Sequence, residues 1–180
     1  MSIHGECNPR RGRGCRRALL RGICRDHPQL AALAPRLDEI ARLLGVRSVL
    51  VMRSEPGAMA VAATAGEAAE HYTVGSVGKK AGDDQSRVPL YCERVVNSGD
   101  EVFVRDSRVD ELFAGNEDEI EFGLTNYLGL PVHNSAGEVV GTVCVLDEVA
   151  REYSPAERDE LVGLRAQVEA IVRADGSALG

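Results

Sequence analysis

The chain has 180 residues, of which 44% are hydrophobic and 27% charged, as in one water-soluble domain with a short extension. It contains neither an apolar run of about 18 residues nor a signal-peptide pattern, so a membrane-spanning helix is excluded and we expect a cytoplasmic protein. The net charge of −7 combines +6 over residues 1–25 with −13 over the rest, and this acidic body argues against nucleic-acid binding by the main domain.

Residues 1–27 are rich in Arg and Gly and lack apolar periodicity, so we expect a basic, flexible arm before the domain. Cys7, Cys15 and Cys24 lie in this arm, separated by seven and eight residues. Common zinc sites separate their cysteines by about two to four residues, so we expect no metal site here. Without a secretion signal, all five cysteines of the chain are expected to be reduced thiols.

The first predicted helix begins near Pro28 and carries apolar residues at intervals of three and four. Pro35 falls inside this pattern, so we expect a kink or a later start, and Gly45 is placed to end the helix. Strands at residues 48–53 and 58–64 follow, and the turn sequence between them predicts a hairpin.

The middle of the chain alternates helices and short strands. Residues 86–98 predict a helix that contains Cys92, and residues 101–105 alternate as a strand. Asp106 is placed to cap a mostly helical, acidic segment at residues 109–122.

Two strands at residues 127–132 and 139–146 form the most informative pattern in the chain. The second strand is apolar at nearly every position, which predicts that both of its faces are covered. We expect alternate residues on the Gly141 side, including Val139, to meet helices. We expect the other side, from Val140 to Thr142 and Cys144, to line a pocket. Pro131 cannot donate to a ladder, so irregular pairing is predicted there.

The last helix has a capping box, Ser154-Pro155-Ala156-Glu157, followed by apolar residues at intervals of three and four as far as Ile171. The residues after 172 are expected to fray. The first and last helices carry similar apolar seams, so they either form a layer on one face of the sheet or pair between subunits as a four-helix bundle.

The chain resembles a GAF domain over residues 28–172, most closely in LYCERVVNSGDEVFVRD, EFGLTNYLGLPVHNSAGEVVGTVCVLD and REYSPAERDEL. The resemblance implies an α+β fold in which an antiparallel sheet carries the N- and C-terminal helices on one face. It places a ligand pocket under short helices and loops on the other face. Such domains sense small molecules or serve as dimerisation modules in signalling proteins, although the fold alone does not fix the function.

Several branches of this family can be weighed against the residues present. Cyclic-nucleotide-binding members of the family carry an Asn-Lys pair at the end of the last strand. This chain has Asp147-Glu148 in its place, which disfavours a cyclic nucleotide. Cys92 has no adjacent histidine, which disfavours a bilin. Haem ligation by His71 or His133 is a further alternative, although single loop histidines are usually just exposed.

The main enzymatic alternative is a free methionine-(R)-sulfoxide reductase, which needs an attacking thiolate and a resolving cysteine in loops over the pocket. The body of this chain offers only Cys92, in a predicted helix, and Cys144, in an apolar strand.

We therefore expect a non-enzymatic sensing or regulatory domain that acts through a partner signalling protein, with an unidentified small-molecule ligand and no assigned cofactor. A homodimer through the terminal helices is expected, and a dimerisation module without ligand is the remaining alternative. The candidate ligand-binding residues are Cys92, Phe103, Asp106, Phe113, Phe122, Tyr127, Thr142 and Cys144.

Overall fold

The computed structural model describes residues 27–177, so residues 1–26 of the predicted arm at residues 1–27 lie outside the described residues. The helices are α1 (Pro28–Ala31), α2 (Ala34–Leu44), α3 (Tyr91–Ser98), α4 (Glu117–Phe122) and α5 (Pro155–Ser177). The strands are β1 (Ser48–Glu55), β2 (Ala58–Ala65), β3 (Val77–Lys79), β4 (Val102–Val104), β5 (Asn126–His133) and β6 (Val139–Asp147). Short 3₁₀ helices occur at Glu67–Glu70 and Ser107–Val109. Within residues 27–177, no helix has the length and apolarity that crossing a membrane requires.

The strands form one six-stranded sheet in the order β3-β2-β1-β6-β5-β4, and all neighbours are antiparallel. Strand β6 lies at the centre between β1 and β5, its partners over most of its length. The expected α+β fold with an antiparallel sheet is confirmed.

Each face of the sheet is covered by its own apolar layer. The helix face packs against α1, α2 and α5, with Leu37, Leu161 and Leu164 fully buried over the sheet. The loop face packs against α3, α4 and the connecting loops, with Tyr91 and Phe113 buried over it. The terminal helices thus share one face of the sheet.

The predicted division of β6 holds along most of the strand. Val143 and Val145 belong to the helix face, while Cys144 belongs to the loop face. The expected placement of Val140 on the pocket side was wrong, because a bulge in the pairing of β5 with β6 next to Val132 turns Val140 to the helix face. The same bulge brings Val139 toward α3, where its side chain lies 4.0 Å from a Cβ built on Gly99.

Pro131 does not interrupt the ladder, contrary to prediction, because it pairs in register with Thr142. Strand β4 begins at Val102, opposite Gly129, so Pro131 has no partner on that neighbour. Its missing N–H therefore removes no hydrogen bond to β4. Pro35 lies in the first turn of α2, directly after Ala34, and does not kink the helix, which confirms the alternative of a later helix start.

Two predicted helices are shorter in the structure. The segment at residues 86–98 becomes helical only from Tyr91, because the buried Glu93 carboxylate accepts hydrogen bonds from the backbone N–H groups of Leu90, Ala81 and Gly82. These bonds hold Leu90 in an extended conformation and tie the preceding loop to α3.

The acidic segment at residues 109–122 is helical only at its ends. The Asp110 carboxylate accepts from the backbone N–H groups of Leu112 and Phe113, which closes a local turn. Gly115 then adopts a positive φ of 80°, and Asn116 caps the short helix α4.

The last helix begins as predicted, since Ser154 and Glu157 form reciprocal capping hydrogen bonds. It continues to Ser177, although we expected fraying after residue 172. Its apolar seam is buried against the sheet and the first helices. The seam therefore contributes to the hydrophobic core of the single chain and is not left exposed for pairing between subunits.

The ring of Tyr127 lies flat over the adjacent strand position of Gly129. A Cβ built on Gly129 would stand 2.1 Å from the Tyr127 hydroxyl and 2.5 Å from the ring carbon that bears it. Tyr91 stacks on the same ring with the centroids 4.8 Å apart, so the ring has little room to move. Glycine at residue 129 is thus required by the close approach of the ring.

Gly129→Ala should destabilise the domain by about 1–3 kcal/mol, because the added methyl group displaces a stacked, buried ring. Urea denaturation measures this change. Gly163→Ala on α5 is the control, since nothing lies within 4 Å of its added Cβ and alanine favours a helix. A neutral Gly129→Ala variant would contradict the described packing.

Candidate functional site

The loop face contains buried hydroxyl groups that have no hydrogen-bond partner in the protein. Among residues 27–177 these are the hydroxyls of Ser48, Thr64, Tyr127 and Thr142. Strand pairing places Ser48 and Thr64 on this face, since Ser48 is opposite Leu146, Thr64 is opposite Leu50, and Leu146 and Leu50 belong to the loop face. A buried polar group normally has a partner, so this face is prepared to bond water or a ligand.

Two of these hydroxyls lie at the centre of the sheet, next to the thiol of Cys144. The Tyr127 hydroxyl lies close to both Cys144 and Thr142, but its position does not satisfy hydrogen-bond geometry with either group. Cys92 of α3 packs in the same cluster of buried side chains as Cys144. Tyr127, Thr142 and both cysteines are almost completely buried.

A second pair of polar groups lies on the same face of the sheet. The Tyr72 hydroxyl donates a hydrogen bond to the Asp118 carboxylate over 2.5 Å, which joins the loop after β2 to α4. Phe122 contacts the ring of Tyr72 edge-on at 5.3 Å and stacks on His71 at 4.7 Å. We call Tyr72, Cys92, Asp118, Tyr127, Thr142 and Cys144 the polar cluster.

Burial controls the protonation of the polar cluster. It raises the pKa of Cys92 well above its ordinary value and raises the pKa of Cys144 to about 12, so both remain thiols near neutral pH. Burial also raises the pKa values of Tyr72 and Tyr127. Asp118 is part-exposed as a residue, but its carboxyl group is desolvated, which raises its pKa to about 6. Near neutral pH the cluster therefore holds one ionised group, Asp118.

The structure brings most of the predicted site residues to the loop face. Cys92, Phe113, Phe122, Tyr127 and Cys144 pack there. Thr142 lies there too, since it pairs with Met52 of the same face.

Phe103 and Asp106 are placed differently. Phe103 packs on the helix face, edge-on to Tyr153 at 6.1 Å, because the alternation of β4 turns it away from the polar cluster. The Asp106 carboxylate caps the 3₁₀ helix Ser107–Val109 and binds the guanidinium group of Arg108.

Sequence reasoning did not identify Tyr72 or Asp118 as site residues. Tyr72 lies in a segment without a readable pattern, and Asp118 is one of four acids between Glu117 and Glu121. Nothing local distinguishes Asp118, because its burial results from tertiary packing. Among the described residues, no group of three or more His, Cys, Asp or Glu side chains is arranged to hold a metal ion.

The raised pKa of Asp118 predicts a specific pH dependence of stability. The protonated carboxyl group is favoured by folding, so its stabilising contribution is complete below the unfolded pKa of 3.8 and is lost as pH rises through about 6. Asp118→Asn, which stays neutral, should be more stable than the natural protein by about 1–3 kcal/mol at about pH 8 and equally stable near about pH 4.

Urea denaturation at both pH values measures this difference. Glu111→Gln, at an exposed acid in the segment before α4, is the control and should change stability by less than about 0.5 kcal/mol. An Asp118→Asn effect of equal size at the two pH values would show that the carboxyl group is not desolvated.

Comparison with known proteins agrees with this architecture. The structure resembles the GAF domain of an Acinetobacter phosphoenolpyruvate-protein phosphotransferase, with a TM-score of 0.62, 20% identity, and coverage of 91% of this chain and 90% of that one. It resembles the free methionine-R-sulfoxide reductase of Neisseria meningitidis, solved with its substrate, with a TM-score of 0.62, 15% identity and coverage of 83% and 80%. It also resembles the phycocyanobilin-bound GAF domain of a cyanobacterial phytochrome, with a TM-score of 0.60, 16% identity and coverage of 81% and 85%.

At these identities the structural likeness shows the fold alone. A search of curated protein sequences gives no match. A family model described as the GAF domain matches residues 30–172, which is most of the chain. The chain therefore belongs to the GAF domain family.

Proposed function

We propose that this protein is a non-enzymatic sensing or regulatory GAF domain that binds a small molecule on its loop face and acts through a partner signalling protein in the cytoplasm. The observation that carries the proposal is the set of buried hydroxyls without protein partners on that face. Leaving a buried donor or acceptor unpaired costs about 1–3 kcal/mol, so a site that retains several gains stability when a ligand bonds them.

The surroundings of the hydroxyls suit a small organic ligand. Tyr91, Phe113 and Tyr127 supply apolar surface, while Tyr127 and Thr142 supply polar atoms that can orient the bound molecule. Binding pockets commonly combine apolar walls with a few such polar groups. The Tyr72–Asp118 hydrogen bond and the Phe122 ring attach α4 to the loop face. We propose that a ligand enters by displacing α4.

Replacing Thr142 by valine tests the central claim. The substitution removes an unpaired hydroxyl at nearly constant volume, so the protein without ligand should gain about 1 kcal/mol of stability. Ligands found by thermal-shift screening of a metabolite library should raise the Tm of this variant less than that of the natural protein.

Thr125→Val is the matched control, because the buried Thr125 hydroxyl donates to the backbone carbonyl of Glu148. This variant should lose about 1 kcal/mol and keep the ligand response. Equal destabilisation by both substitutions would mean that the Thr142 hydroxyl is satisfied. A library that leaves the Tm unchanged would contradict the sensing function and favour a dimerisation module.

The second candidate function is a free methionine-R-sulfoxide reductase, which is favoured by the structural neighbours of that activity and by two cysteines on one face. Catalysis requires a thiolate nucleophile, whereas burial keeps Cys92 and Cys144 protonated. We therefore expect no turnover of free methionine-R-sulfoxide. Turnover that Cys92→Ser or Cys144→Ser abolishes would establish the enzyme instead.

We also propose that the protein forms a homodimer through its terminal helices. The predicted seams are buried inside the chain, so the contact would use outer residues such as Leu43 and Val162, which are 62% and 40% exposed. Light scattering that finds a monomer at high concentration would contradict this proposal.

A further inference from the structure

The basic arm carries a charge opposite to that of the folded domain. Residues 1–25 contain seven arginines and one glutamate, a net charge of +6, while the rest of the chain sums to −13. Three apolar residues, Leu19, Leu20 and Ile23, lie among these arginines. A segment of this composition is complementary to a surface that is both acidic and apolar.

Residues 109–122, which we call the acidic cover, expose apolar side chains on the loop-face side of the domain. Within the described chain, Val109 and Ile120 are the most exposed of the large apolar side chains, at 81% and 70%. Leu112 is 45% exposed and borders a groove of about 400 Å³, where it lies with Pro89. Clustered apolar exposure of this kind commonly marks a binding surface.

The acidic cover also holds negative charge with little cationic compensation. It contains six acids and no Lys, Arg or His. Among the described ion pairs only Arg87 reaches it, with a guanidinium nitrogen 3.8 Å from the Glu117 carboxylate. On the terminal helices, acids are more often paired, as where Arg36 binds both Glu39 and Glu160. A cationic segment is therefore attracted to the acidic cover more strongly than to the terminal helices.

Hydrogen bonds give the acidic cover a defined shape and leave some of its acids available. The Asp110 carboxylate accepts from the backbone N–H of Phe113, and Glu119 accepts from the Ser107 hydroxyl over 2.7 Å. Within residues 27–177, the exposed carboxylates of Glu111 and Glu121 form no hydrogen bond or ion pair. These two acids can pair with arginines without disturbing the fold.

The arm is long enough to reach the acidic cover. The described chain begins at His27, whose side chain forms an ion pair with Asp175 of α5 on the helix face. The residues before His27 span at most about 85 Å when fully extended. A domain of about 150 residues has a radius of gyration of about 15 Å, so the arm can pass round an edge of the sheet to the opposite face.

We infer that the basic arm docks on the acidic cover of the same chain. Its arginines pair with the exposed carboxylates, while Leu19, Leu20 and Ile23 contact the exposed apolar side chains. This inference does not depend on a loop-face ligand. A partner protein that uses the acidic cover must first displace the arm.

The arm carries its own position for a paramagnetic label. Cys92 and Cys144 are buried thiols, so a thiol-reactive spin label attaches to the arm. Cys7→Ser and Cys24→Ser leave Cys15 as its single site. In the full chain enriched in nitrogen-15, the label should broaden the amide resonances of the acidic cover more than those of α2 and α5.

Charge reversal tests the contact itself. Glu111→Lys together with Glu121→Lys should weaken docking about tenfold and reduce the broadening, because two attractions become repulsions. Asp38→Lys together with Asp159→Lys gives the same net charge from exposed acids on the terminal helices and should leave the broadening unchanged. Salt at about 1 M, where the Debye length is about 3 Å, should also weaken docking.

Melting curves establish that the lysine variants are folded. Arg16→Gln together with Arg17→Gln changes the arm alone and should also reduce the broadening, so the test does not rest on the folding of the other variants. A mixture of spin-labelled chain without nitrogen-15 and enriched chain without the label distinguishes docking within one chain from docking between copies.

Three results would overturn the inference. If the acidic cover is not broadened more than α2 and α5, the arm does not dock there and the surface is left to a separate basic partner. Broadening that survives both the lysine and the glutamine substitutions would show that the charges do not hold the arm. Broadening of equal size in the mixed sample would assign the contact to the arm of a second copy.

Discussion

The burial of β6 on both faces is the constraint on which the rest of the structure depends. Its apolar sequence stabilises the sheet only if helices cover one side and a second layer covers the other. Val143 and Val145 meet the terminal helices, while Cys144 and Leu146 lie under α3 and the loops. Because the strand also pairs along both edges, side chains on its loop face are held in a fixed position relative to Gly129 and Leu50.

That rigidity explains how unpaired hydroxyls can persist in the interior. Tyr127 cannot turn toward a better partner, since its ring is confined between Gly129 and Tyr91. Thr142 lies in the strand with the most complete pairing, so its backbone cannot shift either. The energetic cost of these groups is offset by the apolar core on the helix face, where Leu37, Leu161 and Leu164 are fully buried.

The sequence predicted the features that depend on local chemistry and on strand alternation. The capping box of α5, the left-handed Gly45 and the loop-face position of Cys144 all follow from residue type and spacing. It failed where distant groups compete for the backbone, as when Glu93 holds residues 81–90 out of a helix. Asp118 shows the same limit, because one carboxylate of an acidic helix becomes distinct only when Tyr72 covers it.

The groups that give the site its chemical character do not all belong to the rigid sheet. Helix α4 carries Asp118 and Phe122 but contains no fully buried residue, and it is attached through side-chain bonds such as Tyr72–Asp118 and Ser107–Glu119. An element with few buried apolar contacts opens at a low free-energy cost. A ligand on the loop face that replaces one of these attachments would act directly on the position of α4. The surface that reports occupancy to a partner would then be the acidic cover around α4, while the terminal helices keep their packing on the opposite face of the sheet.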